Sequence, residues 1–425
     1  MQTPILYQSF VNPPIPLVAW NTVISEIGAS SIVNNGLYTG SGVRIGIDEA
    51  EGVCDVNNSN LIGKNIVIVG STNTSDHATR VTSITALIAP NATFYANGNN
   101  NSIGIGWFIT VQCDIVNCSY AFCNNIQNND GTYTDGVKTY RADIDGVYDY
   151  QIQVHGITCV MAAGNYCDNE YYSGYNPQNR VCSPGLAYNA ITVGGVKRAI
   201  SWSGYVLKHE DEASFVSDLP YVKPEISAFF TVNVPAMGAD SGTSYSAPQV
   251  SGCCALLMQK SNAYKGNPRR VKAALMVGAS KTNDYVEDRG RFDNHVGAGC
   301  VNLYNTAFIS SSTNTSVPAG SPIGSEPYSC LRDLNAGDTL IVSLAWEFVR
   351  SGSDSSTAGL TDYDIRIYGP GGNLVAGSNN YFTTVELVRL NVETTGTYKI
   401  VVYQKGLMPS WNTIGDRLTI SQSVR

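Results

Sequence analysis

Between Gly42 and Ala279 the chain alternates short β-rich runs with longer segments whose apolar residues recur at helical spacing, and no other feature constrains its fold as tightly. GVRIGID (42–48), NIVIVG (65–70), DIVNCS (114–119), ITCVMAAG (157–164) and AITVGGV (190–196) read as strands. ATRVTSITALIA (78–89), SIGIGWFITVQ (102–112), RADIDGVYDYQIQVHG (141–156), SAPQVSGCCALLMQK (246–260) and PRRVKAALMVGA (268–279) read as helices. The last two carry Pro in or near the first turn, where a missing N–H is tolerated. Strands separated by helices of this length predict a mostly parallel sheet with helices on both faces, an α/β fold.

The pattern changes after residue 306. TAFISSSTNTSVPAGSPIGSEP lacks periodicity and reads as a linker. Beyond it DTLIVSLAWEF, DYDIRIYG, VELVRLNV and GTYKIVVYQ are strands broken by GPGGN and ETTG turns, which predicts an all-β, jelly-roll-like sandwich. A chain of 425 residues is too long for one ordinary core. The expected division is an extension over 1–22, an α/β domain over 23–308, a linker over 309–327 and a sandwich over 328–425.

Composition excludes some functions. A net charge of -8 argues against a nucleic-acid partner. No apolar run reaches the roughly 18 residues a membrane span needs. The first residues lack the basic and apolar regions of a signal peptide, so either the protein stays inside the cell or an export segment has been removed. The 11 cysteines are odd in number and cannot all pair within the chain. Cys159, Cys253 and Cys254 sit in apolar runs as small hydrophobes. Cys167 and Cys182 flank a polar loop that a disulfide can close, and Cys113, Cys118 and Cys123 lack the short paired spacing of a zinc site.

Chemistry first shows in DSGTSYSAPQVSG, where Ser244 stands between a small-residue turn and an apolar helix. A Ser there is a helix cap or a nucleophile, and the hydroxyl attacks only when a base takes its proton. Of the four histidines (His77, His155, His209 and His295), His77 opens a helix. Asp48 ends the strand VRIGI, and functional groups of open parallel sheets collect at such strand ends. Asn165 ends another strand behind Gly164, and its amide can donate to an oxyanion. Each has an ordinary reading as a cap or turn residue. Together they occupy strand ends and helix starts of one layer, in the chain order Asp, His, Ser.

Over residues 20 to 305 the chain resembles the subtilisin-like serine proteases. GVRIGIDEAEGV resembles the family's Asp segment, HATRV its His segment, ITCVMAAGN the segment of its oxyanion Asn, and GTSYSAPQVSG its Ser segment. The resemblance implies a serine endopeptidase in which Asp48 orients His77, His77 acts as base and then acid, and Ser244 attacks. Asn165 and the Ser244 N–H hold the oxyanion. It also implies a substrate pocket edged by Ser119, Tyr120 and Ala121 on one side and Ala162, Ala163 and Gly164 on the other. With Tyr120 and Phe122 on its walls, that pocket favours a hydrophobic or aromatic side chain before the scissile bond. The loop 166–185 borders it. The C-terminal strands are similar to the β-domain appended to some bacterial alkaline subtilases. The implied partner is a peptide or protein and the implied state a monomer, with an extracellular location favoured over the cytoplasm. No cofactor is needed for the chemistry. Calcium is common in the family as a structural ion; Asp362 and Asp364 offer carboxylates, but no loop has the spacing of a specific site.

Three departures stand out. Glu49 and Ala50 follow Asp48 where the family has Ser, Thr or Asp and then Gly, and Glu49 puts a second carboxylate beside the site. Ala78 replaces the Gly after the His, and Tyr245 the Met after the nucleophile. The first departure leaves open a catalytically silent, peptide-binding protein; a processing protease of narrow specificity is the other alternative. Because thioether oxidation is the usual peroxide lesion, Tyr245 predicts an enzyme that keeps its activity in dilute peroxide. Rapid inactivation with a modified residue adjoining Ser244, read by peptide mass mapping, contradicts this.

Overall fold

Strands β1 (Arg44–Glu49), β2 (Asn65–Val69), β3 (Thr93–Gly98) and β4 (Ile115–Cys118) begin the central sheet. A small hairpin, β5 (Asn125–Gln127) and β6 (Tyr133–Asp135), stands apart from it. The sheet continues with β7 (Thr158–Ala162), β8 (Ile191–Ser201), β9 (Gly204–His209) and β10 (Ile226–Phe229). The order is β10-β8-β7-β4-β1-β3-β2, parallel throughout, with β9 antiparallel to β8. These positions come from a computed structural model that describes residues 19–425 other than 70–72, 99–103, 123–124, 128–132, 136–139, 166–180, 202–203, 217–221, 288–291 and 353–357. Most of the expected N-terminal extension thus lies outside the described residues.

Two layers of helix cover the sheet, as alternating elements require. On one face lie α1 (Trp20–Glu26), α2 (Ser30–Val33), α3 (Asp76–Ile88), α6 (Thr243–Lys260) and α7 (Pro268–Gly278), sharing a core with Ile45, Ile47, Val81, Ile84, Val250 and Leu257. On the other lie α4 (Ile105–Thr110) and α5 (Asp145–His155), which enclose Phe108, Val116, Tyr148, Cys159 and Met161. The ribbon β11 (Thr231–Val234) and β12 (Gly238–Ser241) leads directly into α6.

The C-terminal region is β-rich. Its strands are β13 (Ser310–Val317), β14 (Tyr328–Leu334), β15 (Thr339–Ala345), β16 (Val349–Arg350), β17 (Ala358–Gly359), β18 (Tyr363–Tyr368), β19 (Leu374–Gly377), β20 (Val385–Asn391), β21 (Gly396–Gln404) and β22 (Asp416–Val424). Two four-stranded antiparallel sheets, β13-β22-β15-β20 and β14-β21-β18-β19, share one apolar core. The stretch expected to be a linker is therefore partly strand. Ser310 to Val317 pairs residue by residue with β22, and its polar side chains fit because the strand lies at the sheet's edge.

The pleat of β15 joins the two regions. Leu340, Val342 and Leu344 point into the sandwich core, while Ile341 and Ala345 join the core of the α/β layer. Between them the Ser343 hydroxyl donates to the Ala273 carbonyl of α7. Glu347 receives Arg269 of α7 and Arg417 of β22, with both Arg269 and Glu347 buried. We expect Glu347→Ala to destabilise the protein by about 3–5 kcal/mol, because it strands the Arg269 charge. Removing the exposed Lys399–Glu326 pair changes stability by about 1 kcal/mol or less. Denaturant titration of both variants checks the contrast.

Candidate active site

In β1 successive side chains point to opposite faces of the sheet. Ile45 and Ile47 lie on the α3–α6 side. Gly46 faces the other way, where the Phe108 ring fills the space a Cβ would need. The alternation carries into the strand end. Asp48 follows Gly46 toward α4 and α5, and Glu49 follows Ile47 toward α3, whose first turn presents His77.

Glu49 Oε2 lies 2.8 Å from His77 Nδ1, and Glu49 is only 3% exposed. No hydrogen bond or ion pair joins Asp48 to His77. Its Oδ2 accepts from the Tyr120 hydroxyl at 2.9 Å and the Tyr148 hydroxyl at 3.4 Å, and its carboxylate takes a further hydrogen bond from the Gly104 N–H. The expectation that Asp48 orients His77 is corrected here. The residue one step along the pleat stands against the imidazole. Burial, with the neighbouring Glu49 charge, pushes the Asp48 carboxyl up to about 7 despite its hydrogen bonds. Burial also works against a charged His77, but the hydrogen bond and charge of Glu49 outweigh it, aided by Glu51 and Asp240. The His77 pKa is raised above its ordinary 6.5.

Ser244 is the second residue of α6, so it is not the cap. Gly242 precedes the helix at φ 150°, where an added Cβ would approach the Asn165 amide nitrogen to 3.0 Å. The N–H groups of a helix's first turn have no acceptor within the helix, which leaves them available to an anion. The Ser244 hydroxyl donates to the Ser119 carbonyl at 3.1 Å, and the Ser119 hydroxyl returns a bond to the Ser244 carbonyl at 2.9 Å. A buried relay supports this exchange, with Ser251 of α6 donating to Asn117 and Asn117 donating to Ser119. Asn165 Oδ1 accepts from both the N–H and the hydroxyl of Thr243, at 2.8 and 2.9 Å. A backbone N–H can only donate, so the amide's orientation is fixed and Nδ2 is left for another acceptor.

Glu49, Glu51, His77, Ser119, Tyr120, Ala121, Ala162, Gly164, Asn165 and Ser244 line one cavity of about 280 Å³. Ala163 does not. The strand-end pleat turns it away into a small cluster with Val181, Leu186 and Val216, which corrects its assignment to the pocket wall. Tyr245, in the family's Met position, is buried and donates to Asp240 at 2.7 Å, with Arg80 paired to the same carboxylate. Sequence reasoning missed Asp240, Tyr148 and the Ser119–Ser244 exchange. The apolar-small alternation of Ile45, Gly46 and Ile47 was the signal that separates Asp48 from Glu49.

The remaining expectations fall away from this cavity. His209 bridges Asp211 and Asp284 and stacks on His295. Asp364 is buried, and burial pushes its carboxyl up to about 6. Among the described residues no three His, Cys, Asp or Glu side chains gather to hold a metal. Cys182 is disulfide-bonded, and Cys167 and Cys123 lie outside the described residues. Cys113, Cys118, Cys159, Cys253 and Cys254 are free and buried.

The mostly parallel sheet with helices on both faces is that of a subtilisin-like serine protease. A model of the subtilase family matches residues 66–299, and the chain belongs to that family. Among solved structures it is similar to the prenylagaramide maturation protease PagA, at 19% identity and TM-score 0.49 over 66% of this chain and 98% of that one. It is also similar to the patellamide maturation protease PatA, at 18% and 0.45 over 63% and 96%. A lanthipeptide protease matches at 16% and 0.48 over 68% and 94%. Likeness at this level carries nothing about substrate.

A neutral His77 is the form that can accept a proton, so activity should be lost as pH falls through its raised pKa. We expect the acid limb of kcat/KM above pH 6.5. In Glu49→Gln the limb should move to lower pH, because the charge that favours the imidazolium is gone. An unmoved limb in Glu49→Gln contradicts the pairing.

Proposed function

We propose that the chain is a serine endopeptidase in which Glu49, His77 and Ser244 form the catalytic unit and Asn165 the oxyanion site. One observation carries the proposal: the Glu49–His77 contact opens onto the same cavity as Ser244 and the Asn165 amide. With Nδ1 engaged by Glu49, the imidazole presents Nε2 as the base. The Ser244 hydroxyl, now on the Ser119 carbonyl, turns to His77 when substrate arrives; catalytic hydrogen bonds are often loose before binding.

His77 takes the Ser244 proton as the oxygen adds to the scissile carbonyl. Negative charge grows on the former carbonyl oxygen, where the Asn165 Nδ2 and the Ser244 N–H donate to it. Protonated His77, stabilised by Glu49, then gives its proton to the leaving amine, and an acyl-enzyme remains. Water adds by the same route to release the acid and regenerate Ser244. Between Ser119–Ala121 on one side and Ala162 and Gly164 on the other, the cleft offers small residues and one tyrosine ring, a fit for a hydrophobic or aromatic side chain before the scissile bond.

Ser244→Ala should lower kcat by about 10⁶, as loss of the serine does in subtilisin. Asn165→Ala should lower it by about 10²–10³. A fluorophosphonate should label wild type at Ser244 and leave Ser244→Ala unlabelled. Equal hydrolysis by Ser244→Ala and wild type, or no labelling of wild type, overturns the mechanism and favours a silent peptide-binding protein.

A further inference from the structure

Asp48 has no part in that mechanism, yet it is buried and held by several hydrogen bonds. It is 1% exposed and collects the hydroxyls of Tyr120 and Tyr148 together with the Gly104 N–H. The two tyrosine hydroxyls also meet each other at 2.9 Å. Beyond the three, the Tyr148 hydroxyl meets the Cys118 thiol at 3.6 Å, and none of these bonds leads to His77.

What it holds is one wall of the cleft. β4 ends at Cys118, so strand pairing no longer fixes the backbone at Tyr120. Tyr120 lines the cavity between Ser119 and Ala121, and Ser119 exchanges its two hydrogen bonds with Ser244. Beyond the cavity the Tyr120 ring packs edge-on against Phe122, at 5.4 Å between centroids, and the Phe122 N–H donates to the Ser183 carbonyl. The hydroxyl anchored on Asp48 is the polar tie that fixes where this ring stands.

We infer that Asp48 is a positioning residue that fixes Tyr120 as the substrate wall, the orientation of His77 having passed to Glu49. The inference rests on the protease mechanism above. It gives the two adjacent carboxylates different tasks on opposite faces of β1. Because burial favours a neutral Asp48, an amide of the same shape can keep the tyrosines in place.

The test is steady-state hydrolysis of peptides that vary at the residue before the scissile bond, with fluorophosphonate labelling alongside. Asp48→Leu and Tyr120→Phe each remove the tie. Each should raise KM about tenfold and flatten the preference among peptides, with kcat within about threefold and the acid limb unmoved. Their combined effect on KM should be less than the product of the two, since both remove the Tyr120–Asp48 contact. Asp48→Asn, which retains an acceptor for Tyr120, should restore most of the wild-type KM. If Asp48→Leu does not fold, Tyr120→Phe carries the same comparison with the carboxylate in place.

A fall in kcat of about 10⁴ in Asp48→Asn, the loss expected when the carboxylate behind a catalytic His becomes an amide, overturns the inference. So does an unchanged KM in Tyr120→Phe. Failure of the protease mechanism looks different, because wild type then neither labels nor hydrolyses. In that case calorimetric binding of the same peptides decides: weaker binding by Tyr120→Phe with recovery in Asp48→Asn supports the wall, and equal binding by all variants overturns it.

Discussion

The two-residue repeat of a single strand decides what each acidic group at this site can do. Ile45 and Ile47 must enter the α3–α6 core, and Gly46 must leave room for Phe108. With those three fixed, a one-residue slip would drive an isoleucine into the space that Gly46 leaves for Phe108, so the register is held firmly. Asp48 and Glu49 then have no choice of side. The parallel pairing of β1 with β3 runs through both positions, matching Asp48 to Asn97 and Glu49 to Gly98, so the strand does not fray before the chemistry begins. A glutamate reaches one methylene further than an aspartate. From the end of the strand it spans to the first turn of α3, while the shorter Asp48 stays among the tyrosines.

The same physics ties the C-terminal sheets to the cleft. β16 lies against α5, where the Gln153 side chain exchanges two hydrogen bonds with the Arg350 backbone. Asn189 does the same with Phe348. α5 also carries Tyr148, one of the residues on Asp48. The apolar core runs without a break from the central sheet through α7 into β15 and β20. The C-terminal region thus packs against the helix that carries Tyr148 and is no detached appendage.

Much of this was legible in the sequence. Apolar runs at strand spacing located β1, β4, β7 and β8, and helical spacing located α3, α5, α6 and α7, because burial on one face leaves a periodic trace. The residues that escaped leave no such trace. β3 is built from Thr93–Gly98, which mixes polar, aromatic and small residues without an apolar run, and β13 is Ser- and Thr-rich because it lies at an edge. His77 was singled out because histidine is scarce, and Ser244 and Asn165 because of the motifs around them and the chain order. The choice between Asp48 and Glu49 was misread because strand-end position was weighed and strand face was not. Ala163 was misplaced for the same reason.

The central claim concerns one proton, that on Nδ1 of His77. Proton NMR on ¹⁵N-histidine-labelled protein, recorded below the pH of the acid limb, observes that proton while it is shared with a carboxylate. A strongly downfield ring N–H should be present in wild type and Asp48→Asn and absent or shifted upfield in Glu49→Gln. Loss of the signal in Asp48→Asn, with its survival in Glu49→Gln, would contradict the account.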